Sequence, residues 1–111
     1  MAYDEKLAER IRRQLKNKRG LTEKKMFGGI CFMIRGNMAC GVINNELVVR
    51  TGQEKYFQAL RNSYTRPMDF TGRPLKGFVY VSSQGCMSAA GLKKWIGLGI
   101  GFAGSLPSKI K

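Results

Sequence analysis

Residues 24–45 read KKMFGGICFMIRGNMACGVINN, two lysines running into an apolar, sulfur-bearing segment broken by four glycines. A phosphate-cradling loop, a redox site and plain sheet compete for it. The phosphate loop fails on spacing, because GxxxxGK[ST] must open a helix whose first amides meet the phosphate. Here Gly28 and Gly29 lead into a strand-forming run, where glycine serves a bulge or a close backbone approach. Gly36-Asn37 and Asn44-Asn45 are two-residue turn signals, and they cut residues 26–51 into three strands joined as a meander.

Turns at those positions set a register. Arg35 faces Met38, Met33 faces Cys40 and Cys31 faces Val42; on the next hairpin Ile43 faces Glu46 and Val42 faces Leu47. One face then carries Cys31, Met33, Cys40, Val42, Leu47 and Val49, the cleaner core face. The other presents Ile30, Phe32, Ile34 and Ile43 as an apolar patch with a charged rim, which suits either a partner surface or cover by another element of the same chain. In this register Cys31 and Cys40 are diagonal neighbours with Cβ atoms ~7 Å apart, too far for an unstrained disulfide. Small buried hydrophobes is the reading that fits them.

Working outward, Tyr3, Leu7, Ala8, Ile11 and Leu15 recur at helical spacing, so residues 3–18 form an amphipathic helix ended by Gly20. Its opposite face carries Arg10, Arg12, Arg13 and Lys16, followed by Lys18 and Arg19, where cations also suit the helix dipole. Residues 53–62 form a short helix presenting Tyr56, Phe57 and Leu60. A loop follows, with at most a brief strand at Met68–Phe70, then a strand over 77–83. A last helix starts near Ser88 and carries Leu92, Trp95 and Ile96 into the glycine-weakened GLGIGFAG, residues 97–104. Those glycines do not follow a strand as GxGxxG must; Gly97, Gly99 and Gly101 instead suit close helix packing. The chain reads as one domain over 1–107 with a basic tail over 108–111.

Composition removes several chemistries. With no histidine there is no Ser-His or Cys-His pair and no common metal ligand, and the seven carboxylates are scattered. No cofactor or metal site is expected. Three cysteines without CxxC spacing fit a reducing compartment, and the absence of a signal peptide or membrane span makes the cytoplasm the expected address. Cys86, between a strand and a helix N-terminus, is the one thiol placed for a dipole-stabilised thiolate, though it lacks an obvious base. The formal net charge of +13 implies attraction to polyanions: nucleic acid, an anionic membrane face or an acidic protein. Basic and aromatic residues interleave at Lys55-Tyr56-Phe57, Arg61, Tyr64 and Arg66, and at Lys93-Lys94-Trp95, but no helix-turn-helix, zinc-finger, RRM or KH signature is present, and Tyr56, Phe57 and Trp95 fall at helical spacings that suit core.

The stretch MFGGICFMIRGNMACGVINNELVVRT, followed by a short helix with an aromatic, then PMDF, the strand GFVYVSS and a helix holding Trp95 before SLPSK, resembles the N-terminal domain of the TfoX/Sxy family. The resemblance implies a two-layer α+β domain with an antiparallel sheet of about five strands, ordered α-β-β-β-α-β-β-α. Full-length members are regulators of natural competence and transcription that act with the catabolite activator protein and carry a further C-terminal helical domain. The chain is similar to the N-terminal domain alone. The family supplies no established catalytic residues. The expectation is therefore a non-enzymatic regulatory module that contacts nucleic acid or an acidic partner through Arg12, Arg13, Lys16, Lys18, Arg19, Lys24 and Lys25. Its rival is a protein-interaction or homodimer module built on Ile30, Phe32, Ile34 and Ile43; a third class is a small enzyme acting through Cys86.

Overall fold

The computed structural model describes residues 3–16, 18–26, 28–69, 72 and 75–107. The expected tail at 108–111 lies outside the described residues, as do Phe27 and Phe70.

Helix α1, Glu5–Leu15, begins where the Asp4 carboxylate accepts hydrogen bonds from the backbone N–H groups of Lys6 (2.9 Å) and Leu7 (3.1 Å). Such an N-cap contributes about 1 kcal/mol. The helix is shorter than the 3–18 span, because Tyr3 bridges to Asn44 and the chain turns after Lys16. Its buried stripe is nonetheless Leu7, Ala8, Ile11 and Leu15, as the periodicity predicts.

Among the described residues six antiparallel strands follow, with spatial order β1-β2-β3-β4-β6-β5. They are β1 Leu21–Met26, β2 Gly29–Ile34, β3 Asn37–Ile43, β4 Glu46–Arg50, β5 Thr65–Pro67 and β6 Phe78–Val81. Helix α2, Gln53–Leu60, links β4 to β5, and a 3-10 turn, Ser83–Cys86, leads from β6 to helix α3, Ala89–Ser105. The sheet has one strand more than the sequence predicts. The addition is β1, an edge strand of mostly exposed residues with Lys24 and Lys25 inside it, and charge on an edge discourages pairing with another chain. The brief strand falls at Thr65–Pro67 rather than 68–70, and Pro67 suits the opposite edge.

The first hairpin corrects the expected register. Its turn is Arg35-Gly36, not Gly36-Asn37: Arg35 has φ 50° and Gly36 φ 84°, the two left-handed residues of a type I′ turn. Asn37 is buried and donates its side-chain N–H to the carbonyl of Pro107 (2.9 Å). Met33 therefore pairs with Met38, and a bulge at Ala39 brings Phe32 opposite Cys40 and Ile30 opposite Val42. The second hairpin pairs Ile43 with Glu46 and Val42 with Leu47, as predicted. Because side chains alternate along a strand, the one-residue change in the first hairpin exchanges the faces of β2.

The helices cover one face of the sheet. Ile30, Phe32, Cys40, Val42, Leu47, Val49, Val79 and Val81 pack there with α1's stripe, Tyr56 and Ala59 of α2, and Leu92, Trp95 and Ile96 of α3. Helix α3 crosses β3 so closely that a Cβ on Gly99 would land on the carbonyl oxygen of Ala39. On the far face Cys31, Met38, Ile43, Val48 and Tyr80 cluster with Met68, from the segment after β5.

Candidate functional site

Of the seven cations expected to meet a polyanion, Arg12 is already engaged. Its guanidinium donates to Glu9 (2.9 Å) on its own helix and, through two nitrogens, to Glu23 on β1 (2.9–3.0 Å). These hydrogen bonds hold its pKa well above the usual arginine value and tie the helix to the edge strand. Arg12 is a strap, not a free contact. Arg13 and Lys16 are exposed at the end of α1, Lys18 and Arg19 are exposed in the turn that follows, and none of the four forms an ion pair among the described residues. Lys24 and Lys25, also exposed, point to opposite faces of β1: Lys24 pairs with Cys31 on the far face, Lys25 with Ile30 on the helix side. The structure thus brings four of the seven together around the end of α1, with Lys25 further along β1 on the same side of the sheet.

The apolar patch does not exist as a surface. Ile30 and Phe32 are 4% and 0% exposed beneath the helices, and Ile34 packs with Ala39 and Ala103 of α3. Ile43 lies on the opposite face, in the Cys31 cluster. The shifted turn and the bulge at Ala39 are the physical reason.

The three thiols are all buried. Cys31 and Cys40 sit on opposite faces of the sheet rather than as diagonal neighbours on one. Burial pushes the Cys31 thiol up to about 11 and the Cys40 thiol up to about 12. Cys86 is buried, its Sγ 3.4 Å from the carbonyl oxygen of Ser82, and desolvation raises its pKa in spite of the Arg10 cation. The dipole-stabilised thiolate is not formed there. The N-terminus of α3 begins further on and is capped by the Ser88 hydroxyl, which accepts from the Gly91 N–H (2.9 Å).

The basic–aromatic interleaving is mostly structural. Tyr56 and Trp95 are core, while Arg66 is held by Glu46 (2.5 Å) and Asp69 (3.3 Å) over the Tyr80 ring. Phe57 and Tyr64 stay exposed. Among the described residues there is no group of three His, Cys, Asp or Glu side chains that could hold a metal ion, and no helix long and apolar enough to cross a membrane.

A cleft that the sequence does not announce opens where β4 gives way to α2. It measures about 690 Å³ and is lined by Arg50, the first turn of α2, Lys76 and the outer side of α3. The Arg50 guanidinium stands 5.4 Å from the Phe78 ring centroid and 5.2 Å from that of Phe102. The residues come from four separate parts of the chain, and only the glycine spacing in 97–101 gave any local signal.

Helices on one face of a six-stranded antiparallel sheet define a two-layer α+β domain. The family model described as the TfoX N-terminal domain matches residues 13–103 of the 111, and the chain belongs to that family, a regulatory type of domain. Comparison with curated proteins and with solved structures gave no match.

Proposed function

We propose that this regulatory domain acts in transcription or competence control by contacting nucleic acid through the cationic end of α1 and the turn after it. The observation that carries the reading is the cluster of Arg13, Lys16, Lys18 and Arg19, exposed and without ion pairs among the described residues, in a protein of net charge +13. Arg12 supports the surface from behind by fixing α1 to β1. Lys25 extends the charge along the edge strand, whereas Lys24 faces away and serves the edge itself.

Contacts of this kind are read by salt. Four phosphates neutralised give a slope of about −3.6 in log K against log salt, a loss of roughly 150-fold between 50 and 200 mM. Fluorescence anisotropy with a labelled duplex of arbitrary sequence measures it. Absence of binding at 50 mM salt overturns the nucleic-acid reading and leaves an acidic protein as the partner of this surface.

A further inference from the structure

We propose that the cleft between β4, α2 and α3 is a binding site for a nucleoside phosphate. Three cations line it, Arg50, Lys55 and Lys76, against one carboxylate, Glu54, and none of these four forms an ion pair among the described residues. A balance of two positive charges matches the two negative charges of a phosphate monoester. Arg50 is the anchor. Its position beside the rings of Phe78 and Phe102 restrains a side chain that would otherwise lose much rotamer freedom on binding, and its N–H donors make no hydrogen bond to described residues. A guanidinium so held presents the planar fork that recognises phosphate oxygens in pairs.

Helix α2 adds to the field. Its N-cap is Gly52, with no side chain accepting from the first-turn amides, and those residues line the cleft. Uncapped amides at the positive end of a helix favour an anion.

The floor of the cleft gives the second half of the ligand. Gly97 and Gly101 lie one turn apart on the outer side of α3, and a Cβ added to either meets nothing within 4 Å. Each glycine costs an exposed helix about 1 kcal/mol relative to alanine, and here no packing contact requires it. Gly99 between them is different, since its missing side chain admits the Ala39 carbonyl. The two outward glycines instead leave that stretch of α3 bare of side chains where Phe102 also lines the cleft, and a base or a ribose is the part of the ligand assigned to it. A volume of about 690 Å³ lies within the range of small-molecule sites.

Isothermal titration calorimetry with the four common nucleoside 5′-monophosphates, inorganic phosphate and the free nucleosides tests the site. At least one monophosphate binds about tenfold or more tightly than inorganic phosphate and than its own nucleoside, tenfold being the scale of one charge-assisted contact. Arg50→Gln lowers that affinity at least tenfold. Gly97→Leu combined with Gly101→Leu does the same without lowering the thermal midpoint, because it fills the strip with better helix formers and so keeps the test decisive if Arg50→Gln does not fold. No monophosphate binding more tightly than inorganic phosphate overturns the proposal, and so does the folded glycine variant binding like wild type. The outcome is separable from duplex binding at α1, since Arg13→Glu leaves the cleft intact.

Discussion

Replacing each glycine of α3 by alanine separates packing from open space within one helix. Gly97→Ala and Gly101→Ala add a methyl group with no heavy atom within 4 Å. Helix propensity then acts alone, and each change stabilises the fold by about 1 kcal/mol. At Gly99 the same methyl group meets backbone, the carbonyl oxygen and carbon of Ala39, which cannot swing aside as a side-chain tip can. The helix must withdraw from β3. Overpacking of that kind costs ~1–3 kcal/mol, so after the propensity gain of about 1 kcal/mol Gly99→Ala is net destabilising by up to roughly 2 kcal/mol and lies ~1–3 kcal/mol below Gly97→Ala. Urea titration followed by tryptophan fluorescence reads the whole series, and a change of 1 kcal/mol corresponds to ~4 °C in the thermal midpoint of a domain this size. Gly99→Ala as stable as Gly97→Ala would refute the close α3–β3 crossing.

Phe32→Glu distinguishes core from surface. Phe32 is fully buried, so a carboxylate there costs more than the ~3–5 kcal/mol of a Phe→Ala truncation, and the variant is unfolded by circular dichroism; a folded variant with altered sedimentation would restore the exposed patch. The buried thiols make stability fall at high pH. A thiol whose folded pKa is raised keeps its full contribution below the unfolded value, about 8.5, and loses it as pH rises toward the folded value, about 12 for Cys40. Unfolding free energies from urea titration between pH 8 and 10 decline more steeply for wild type than for Cys40→Ala, by up to ~1.4 kcal/mol per pH unit, and equal slopes would show that the thiol is not desolvated. Iodoacetamide at neutral pH leaves Cys86 unmodified in the folded protein; labelling at the rate of an exposed thiol contradicts its burial.

Much of the fold was legible because it is written locally. The stripe Leu7, Ala8, Ile11 and Leu15, the Asn44-Asn45 hairpin, and the last helix starting after Ser88 all follow from short-range spacing. β1 escaped notice since an edge strand exposed on both faces needs no alternation: between Leu21 and Met26 every residue is polar. The β2–β3 turn was misread because Gly36-Asn37 is the stronger local signal. What fixes the turn one residue earlier is distant: Asn37 bonds to Pro107, and the Arg35 guanidinium donates to the Gly104 carbonyl (3.0 Å). Nothing beside Ala39 marks the bulge, yet the bulge and turn together decide which face Ile30 and Phe32 occupy. Of the cationic surface, the exposure of Arg13, Lys16, Lys18 and Arg19 was readable, whereas the capture of Arg12 by Glu23 needed the pairing of α1 with a strand that local patterning did not reveal. The cleft at Arg50 was illegible for a related reason, being assembled from β4, α2, the turn before β6, and α3.

The proposed contact predicts that nucleic acid is met at the end of α1 and not merely attracted by net charge. Two double variants with the same change in charge decide it: Arg13→Glu with Lys16→Glu on α1, and Lys93→Glu with Lys94→Glu, exposed on α3. Anisotropy with one duplex across a salt series is the measurement. The α1 pair should weaken binding more than tenfold at 50 mM salt and reduce the salt slope by about 1.8, the share of two phosphates, with the α3 pair staying within roughly threefold of wild type. Equal losses from both pairs would contradict the account.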